Sequence, residues 1–320
     1  MIIDNVSQSV CVNVLHNLQR CILGKQEQIE LLLITIIANG HILLEDVPGT
    51  GKTQLVKALA STIGGQFRRV QCNPDLLPTD ITGVSIYHPK YEQFQFRPGP
   101  VMTNILLADE INRATTKTQS ALLEAMEEGH VTVDGDSYEL PTPFVLLATQ
   151  NGIEFEGTYT LPEAQLDRFM MRLTLGYPDA TDEHQMIVAG DSQVKANQLE
   201  QVITITELVQ LQEAAKLIHI DDTVGSYLLS IVQATREHQH ILLGASPRAS
   251  LALARAARAK SFMMNRSYVT PDDVKSLAKH VLAHRLLLQL DAKMQGVTAD
   301  QIMDEIIQST IVPVGLVQGR

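Results

Sequence analysis

The spacing of hydrophobic residues divides the chain into two regions. Up to about residue 175, helical segments alternate with short apolar runs, which are typical of strands buried on both faces of a parallel sheet. The first region is therefore predicted to be an α/β layer structure. The predicted strands cover residues 41–45, 67–72, 105–109, 144–149 and 170–175.

Beyond about Thr204 the apolar residues recur at steps of three and four, which predicts an all-helical second region. Two of its helices have clear starts, because Ser246-Pro247 and Thr270-Pro271 each place a capping hydroxyl before a proline at the first helical position. The predicted organisation is an α/β domain at residues 1–178, a connector at 179–203 and a helical domain at 204–320.

Two β-hairpins are predicted between the main elements of the first region. Asp134-Gly135 is a strong short turn signal, and apolar residues lie on both sides of it. A second pair of segments carries the alternating residues Phe94 and Phe96. On this pattern alone both are surface hairpins. Their predicted strands are 131–133 with 138–140, and 83–87 with 93–96.

The overall composition limits the possible partners and location. The chain has 320 residues and a formal net charge of −11, so the whole molecule would repel a polyanion. Its three cysteines form no C-x-x-C pair, which argues against a disulfide framework or zinc site and fits a reducing cytoplasm. We expect neither export nor membrane insertion, because no signal-like N-terminus is present and no apolar run reaches the ~18 residues of a spanning helix.

The stretch EDVPGTGKTQ, at the end of the first predicted strand, has the form of a phosphate-binding loop. A glycine turn that opens a helix presents backbone N–H groups to an anion at the positive end of the helix dipole. Lys52 would reach the β- and γ-phosphates, and the Thr53 hydroxyl would bind Mg²⁺. Asp46 stands where the strict pattern has glycine, so a chance helix start stays open on this motif alone. The residues predicted to hold the nucleotide are Pro48, Gly49, Thr50, Gly51, Lys52, Thr53 and Gln54.

Acidic and amide side chains follow two later strands. Asp109 can bind Mg²⁺ at the tip of its strand, while Glu110 can polarise a water molecule for attack on the γ-phosphorus. Asn151 could orient that water and contact the γ-phosphate. Taken alone, the acidic pair is often a solvated strand end and Asn151 a turn. Their distance from the GKT loop favours an active site.

Two arginines stand where a nearby anion would explain them. Arg248 falls in the first turn of its predicted helix, where a cation opposes the dipole. The alternative is a plain surface arginine. Arg168 can form an ion pair at the end of its helix, or project to a neighbouring subunit as an arginine finger. Glu127 and Glu128 are predicted to form a solvated helix end.

Together these segments resemble the MoxR family of AAA+ ATPases, and the similarity runs through the whole ATPase region. The family's EDVPG variant carries the acid found here as Asp46. The sequence departs from the family pattern at Thr115-Thr116, Gly152 and Thr160, where proline is frequent. The matching stretches are EDVPGTGKT, LLADEINRATTKTQSALLEAMEEG, ATQNGIEFEGTYTLPEAQLDRF and GASPRAS.

The resemblance implies a P-loop NTPase fold, with the five parallel strands in the order 5-1-4-3-2 and a small all-helical lid after them. It implies that Arg168 acts on the nucleotide of a neighbouring chain (in trans) and Arg248 on that of its own chain (in cis). Gly24, within residues 22–25, would lie at the adenine side. The two hairpins resemble the helix-2 insert and the pre-sensor-1 hairpin, which line the central face of related rings.

The implied function is a cytoplasmic, Mg²⁺-dependent ATPase with ATP and Mg²⁺ as cofactors. By family analogy it would assemble into a ring, most often a hexamer, and use hydrolysis to remodel or mature a protein client. That work could be chaperone-like, could assist complex assembly or could insert a metal cofactor. A protein with a von Willebrand factor A domain is the expected further partner.

Two other functions fit parts of the sequence. A nucleic-acid motor could use the eight Lys and Arg residues between positions 244 and 286, which outnumber two Asp there. No basic patch interleaved with aromatic residues accompanies them, so a nucleic-acid partner is not expected. A scaffold that binds ATP without hydrolysing it is the second alternative, and the presence of Glu110 and Arg168 argues against it.

Overall fold

The computed structural model describes residues 5–151, 159–190 and 194–312. The predicted connector at 179–203 is thus described except for residues 191–193, and Gly152 lies outside the described residues. The strands, numbered along the chain, are β1 (Ile42–Glu45), β2 (Phe67–Gln71), β3 (Gly83–His88), β4 (Gln93–Pro98), β5 (Ile105–Asp109), β6 (His130–Val133), β7 (Asp136–Glu139), β8 (Val145–Gln150), β9 (Met171–Leu173), β10 (Ile241–Leu243) and β11 (Leu287–Leu288).

Helices fill most of the remaining described chain. A single 3₁₀ turn at Ile111–Arg113 connects β5 to the helix that follows it. The α-helices are α1 (Asn5–Gln19), α2 (Gln26–Ile37), α3 (Lys52–Ile63), α4 (Pro78–Thr82), α5 (Thr116–Glu128), α6 (Glu163–Leu166), α7 (Ala180–Ala189), α8 (Ile205–Lys216), α9 (Asp222–Glu237), α10 (Pro247–Met263), α11 (Pro271–Leu282), α12 (Leu290–Met294) and α13 (Ala299–Ser309).

Five strands form one parallel sheet in the order β2–β5–β8–β1–β9, which confirms the predicted order. The strand β5 shows why the strands inside this sheet are nearly continuous apolar runs. Ile105 and Leu107 face a core shared with α1, α2, α3 and the lid helices, whereas Leu106 and Ala108 face a core shared with α5. All four side chains are fully buried, because both faces of the sheet are covered.

Both predicted hairpins are present. Strands β3 and β4 pair antiparallel, as do β6 and β7, and the latter pair turns at Asp134-Gly135 as the sequence predicts. The two hairpins touch, since the rings of Phe96 and Tyr138 stack with centroids 3.8 Å apart. The outer residues of β3 and β4 stay exposed, and Phe94 keeps 74% of its surface accessible.

The lid is helical, and both predicted helix starts are confirmed. The Ser246 hydroxyl accepts the Ala249 N–H at 3.2 Å, and Thr270 forms a capping box with Asp273. The lid also contains the short antiparallel pair β10–β11, which the sequence analysis did not predict. Strands of two or three residues are too short to show an alternating pattern.

The lid packs closely on the α/β layer. Helices α8 and α10 lie against α2, and the Gln212 side chain donates to the Ile36 carbonyl at 2.8 Å. One continuous hydrophobic core therefore includes residues of both regions. The domain limits at 178 and 203 stay predictions. Within the described ranges, no helix has both the length and the apolar character needed to cross a membrane.

Candidate active site

The loop between β1 and α3 presents its backbone amides to a cavity of about 360 Å³. Gly49 and Gly51 have φ angles of 86° and 90°, a left-handed conformation that other residues rarely adopt. No described side chain caps the first N–H groups of α3, which follows Gly51. These amides lie at the positive end of a helix dipole and can bind an anion.

Lys52 is held within the same loop. Its Nζ donates to the Val47 carbonyl at 2.7 Å and lies 3.4 Å from the Asp46 carbonyl. Phosphate oxygens are stronger partners for an ammonium group than neutral carbonyls, so Lys52 can exchange these contacts for a phosphate. The hydroxyl of Thr53 has no hydrogen-bond partner among the described residues, which leaves it available to a ligand.

The carboxylate of Asp46 binds backbone groups rather than facing the phosphate side. Its Oδ1 accepts the Val47 N–H at 2.8 Å, and its Oδ2 accepts the N–H groups of Leu175 and Gly176 at 3.1 and 3.0 Å. Asp46 is only 7% exposed. The side chain thus ties the start of the loop to the chain beyond β9, and an acid at this position does not obstruct the loop.

Replacing Asp46 by glycine restores the strict phosphate-loop pattern, yet we expect the free energy of unfolding to fall by about 2–4 kcal/mol. Three N–H groups, two of them from a distant strand end, would lose a charged acceptor. Chemical denaturation followed by circular dichroism measures the change. Asp134→Gly is the matched control, because Asp134 is exposed and already has a φ of 52°. An Asp46→Gly variant as stable as the control would contradict this role.

The carboxylate of Asp109 is oriented by two other side chains. Its Oδ2 lies 2.8 and 2.7 Å from Nε and Nη2 of Arg69, and its Oδ1 accepts the Thr149 hydroxyl at 2.8 Å. The Thr149 oxygen in turn accepts the backbone N–H of Glu110 at 2.8 Å. The two acids at the end of β5 are therefore fixed relative to β8.

Glu110 has a strained backbone and a loosely held side chain. Its φ of 55° is uncommon for any residue but glycine, and such strain is concentrated at functional sites. Its Oε2 lies 3.0 Å from Nη1 of Arg113, in an ion pair exposed to solvent. Exposed pairs of this kind contribute only about 0–1 kcal/mol, so Glu110 can leave Arg113 for a water molecule.

Asn151 follows β8 and lines the same cavity. Its Oδ1 is buried and has no hydrogen-bond partner in the described part of the chain. Buried acceptors rarely stay unpaired, so this atom favours a ligand or water in the cavity. The cavity brings together the residues predicted to lie at the phosphates, which are Pro48, Gly49, Thr50, Gly51, Lys52, Thr53, Gln54, Asp109, Glu110 and Asn151.

These residues fit a magnesium nucleotide. Across residues 5–151, 159–190 and 194–312, no group of three or more His, Cys, Asp or Glu could hold a metal by itself. Mg²⁺ in nucleotide sites usually takes one or two protein ligands and completes its shell with phosphate oxygens and water. Asp109 and the Thr53 hydroxyl supply such a partial set beside an anion-binding loop.

Both predicted arginines lie elsewhere, at the opposite edge of the sheet. Arg168 Nε is 2.6 Å from Oε2 of Glu127, and Arg248 contacts the other carboxylate oxygen of the same residue. The cavity they line includes residues that precede β1 and β9, whereas the phosphate loop follows β1. The four residues of β1 span about 13 Å. Neither arginine therefore lines the phosphate cavity of its own chain.

This placement does not support the expectation that Arg248 contacts the nucleotide in cis. The lid holds Arg248 beside Arg168, because the residue before the predicted finger is bound to the lid. Asp167 accepts the Ser246 hydroxyl at 2.9 and 3.0 Å and lies 3.0 Å from Nε of Arg285. Arg285 is 6% exposed, and burial lowers its pKa to about 10.

Gly24 also lies outside the phosphate cavity. It has a φ of 67° in the turn between α1 and α2, and a Cβ there would collide with the Asp182 side chain of α7. The neighbouring Lys25 donates to the Tyr177 carbonyl at 2.8 Å. Its place at the adenine side of a nucleotide stays a prediction.

Three residues of these sites were missed by sequence reasoning. Arg69 could be assigned only with the pairing of β2 and β5 in hand. Thr149 did give a signal, as a polar residue at the end of an apolar strand, but it was taken as part of the strand. Glu127 was predicted to be a solvated helix end and is instead the shared partner of Arg168 and Arg248.

Comparisons with known proteins agree with this geometry. Residues 41–171 match the family described as "ATPase family associated with various cellular activities (AAA)", and residues 233–306 match the AAA lid domain. The chain is 49% identical over 299 residues to the uncharacterized protein YeaC of Bacillus subtilis, with 93% of each chain covered. It is 40% identical over 308 residues to the chaperone MoxR1 of Mycobacterium tuberculosis, with 93% of this chain and 81% of the relative covered.

The same architecture occurs in a solved structure. The crystal structure of an ATPase candidate from Cytophaga hutchinsonii matches with a TM-score of 0.89 and 38% identity, over 96% of each chain. The two structures thus share one fold over almost their full length. The similarity to MoxR1 covers more than four fifths of that protein. The chain belongs to the MoxR family of AAA+ ATPases.

Proposed function

We propose that the protein is a Mg²⁺-dependent ATPase whose active sites are completed between neighbouring chains of a ring. The observation that supports this most directly is the separation of the two halves of the machinery. The phosphate loop and its acids lie at the carboxyl edge of the sheet, and Arg168 with Arg248 lies at the amino edge. A head-to-tail arrangement of chains brings these two edges together.

Within one chain, the loop amides and Lys52 bind the phosphates. Asp109 and Thr53 would hold Mg²⁺, which would supply positive charge to neutralise the phosphates. Glu110 accepts a proton from the attacking water, and Asn151 positions that water through its amide. Arg69 and Thr149 keep Asp109 in place at the end of β5.

Two guanidinium groups come from the neighbour. Arg168 and Arg248 lie on one surface of the chain and share one carboxylate partner, so they would reach a neighbour's nucleotide together. Cations that approach the γ-phosphate stabilise the charge that develops during phosphoryl transfer. Hydrolysis is then coupled to the contact between chains.

The work driven by hydrolysis is proposed to be the remodelling or maturation of a protein client in the cytoplasm, in a ring that is hexameric by family analogy. A relative at 40% identity is named a chaperone. The exposed β3–β4 hairpin, with Phe94 and Tyr87 accessible, is suited to contact with a polypeptide. A protein with a von Willebrand factor A domain remains the proposed further partner.

The basic lid segment gives little support to a nucleic-acid motor. Most of its cations have partners inside the chain: Arg266 pairs with Asp273, Lys279 with Asp304, and Lys260 donates to Ser276. Arg258 and Arg285 are likewise engaged with the Ile218 carbonyl and Asp167, and Arg248, paired with Glu127, is already assigned to a neighbour's nucleotide. In the described part of the chain, only Arg255 and Lys275 of the eight lack such a partner. A phosphate backbone would find few available cations there.

Binding of Mg²⁺–ATP by the purified chain, measured by calorimetry, tests the first step. Lys52→Ala is expected to weaken this binding about thirtyfold or more, because a charged contact to two phosphates is lost. Lys57→Ala is the matched control, since Lys57 lies on the same helix and is exposed. Equal binding by all three proteins, or no binding by the wild type, would refute the nucleotide site.

A further inference from the structure

A second cavity, of about 260 Å³, lies at the amino edge of the sheet and is dominated by three arginines. Arg168, Arg248 and Arg255 line it, and Glu127 is the one carboxylate among its described lining residues. His41 also lines it and is neutral at pH 7, because burial lowers its pKa to about 4. Two positive charges are left uncompensated.

The carboxylate of Glu127 bridges two of these three arginines. One oxygen of Glu127 contacts Arg168 and the other contacts Arg248. In the ion pair of Glu127 with Arg248, both charges lie at helix ends where the helix dipole opposes them. Glu127 is in the last turn of α5, and Arg248 is in the first turn of α10. An opposite charge nearby therefore stabilises each of them, and an anion of higher charge would stabilise Arg248 more than a single carboxylate does.

Arg255 has no such partner. It lies two helical turns beyond Arg248 on α10, and it forms no hydrogen bond or ion pair within the described residues. Burial and the positive charge of Arg248 lower its pKa. The side chain of Arg255 is nevertheless exposed, so its unpaired charge is tolerated in water; with Arg168 and Arg248 it gives the cavity a net positive charge, which favours an anionic ligand at this place. The volume is several times the roughly 30 Å³ of one water molecule, so a phosphate group has room.

We propose that Glu127 takes, in the separate chain, the place of the terminal phosphate of a nucleoside triphosphate held by a neighbour, and that Arg255 is a third cation for that phosphate. The inference rests on the proposed function, because it requires that Arg168 and Arg248 act in trans. When chains assemble, phosphate oxygens displace the carboxylate and bridge the same guanidinium groups. Glu127 is then a positioning residue that holds both arginines ready and makes their engagement depend on a bound neighbour nucleotide.

A direct test uses inorganic tripolyphosphate as the probe and the full-length chain with Lys52→Ala, so that the phosphate loop contributes little. In this background Glu127→Gln is expected to tighten tripolyphosphate binding about tenfold or more, because one like charge leaves the cavity. Glu128→Gln is the control, since Glu128 is the exposed neighbour on the same helix. Adding Arg255→Gln to Glu127→Gln should abolish the gain.

Calorimetry on these variants decides the inference. Unchanged or weaker binding after Glu127→Gln would overturn the role of Glu127. A gain that survives Arg255→Gln would overturn the role of Arg255. Thermal unfolding of each variant verifies that the fold is intact, and the measurement does not depend on ATP hydrolysis.

A second readout separates this role from simple support of the arginines. With Lys52 intact, Glu127→Gln is expected to lower the protein concentration that gives half-maximal phosphate release about threefold or more, because assembly no longer has to displace a carboxylate. A supporting role would instead lower the maximal rate and leave that concentration unchanged. If wild type releases no phosphate at any concentration, the proposed function fails. The tripolyphosphate measurement still decides whether the arginine-lined cavity binds a phosphate in place of Glu127.

Discussion

The Glu110→Gln variant is expected to bind Mg²⁺–ATP within about threefold of wild type and to release phosphate about 10³-fold more slowly, the loss typical of removing a general base. The amide keeps the size of the side chain and cannot accept a proton from water. Binding survives because the loop amides and Lys52 contact the phosphates, and Asp109 with Thr53 would hold Mg²⁺. Calorimetry and a phosphate-release assay on the same preparation measure both quantities.

Glu124→Gln provides the control, since Glu124 is an exposed acid on the next helix and does not line the cavity. Its phosphate release should equal that of wild type. If Glu110→Gln turned over at the wild-type rate, another base would be required. If it lost binding as well, Glu110 would be a ligand of the metal rather than an acceptor of the proton.

The different restraints on the two acids explain why only one is expected to act as base. Asp109 is 8% exposed and is held by Arg69 and Thr149, so its carboxylate has a fixed direction. The backbone N–H of Glu110 donates to Thr149, but its side chain contacts only Arg113 among the described residues. A fixed carboxylate suits metal binding, and a mobile one suits proton transfer.

The fold was predictable because the determining signals are local in sequence. Apolar runs marked the central strands β1, β5 and β8, and the capping residues Ser246 and Thr270 marked two helix starts that the structure confirms. The phosphate-side residues were also predictable, since strand ends of a parallel sheet meet at one edge. The family resemblance supplied the strand order, which spacing alone did not.

The remaining features depend on contacts between distant segments. Arg69 reaches Asp109 only because β2 pairs with β5 in a register that sets Gln71 opposite Asp109. A shift of one residue would turn Arg69 to the other face of the sheet. The contact of Glu127 with Arg248 likewise requires the lid to pack on α2, since α5 and α10 are separated by more than a hundred residues. No local sequence pattern predicts contacts between such distant segments.

Arg168→Ala is expected to bind Mg²⁺–ATP as wild type does and to release phosphate about 10³-fold more slowly, because the transition state loses a cation supplied by the neighbour. Arg248→Ala should likewise keep Mg²⁺–ATP binding and slow phosphate release, by a smaller factor. Arg20→Ala is a suitable control, since Arg20 lies on the chain after α1 and lines neither cavity. Thermal unfolding establishes that each variant is folded.

Mixing variants shows on which chain each residue acts. A chain with Arg168→Ala keeps its own phosphate cavity, and a chain with Glu110→Gln keeps its arginines, so their mixed interfaces contain one complete site. An equal mixture is expected to regain about a quarter of the wild-type rate, the fraction of head-to-tail interfaces with the productive order. A mixture of Glu110→Gln with Lys52→Ala carries both defects at the same edge and should regain nothing. If the first mixture stayed as slow as its components, Arg168 would not act in trans, and a site shared between chains would be ruled out.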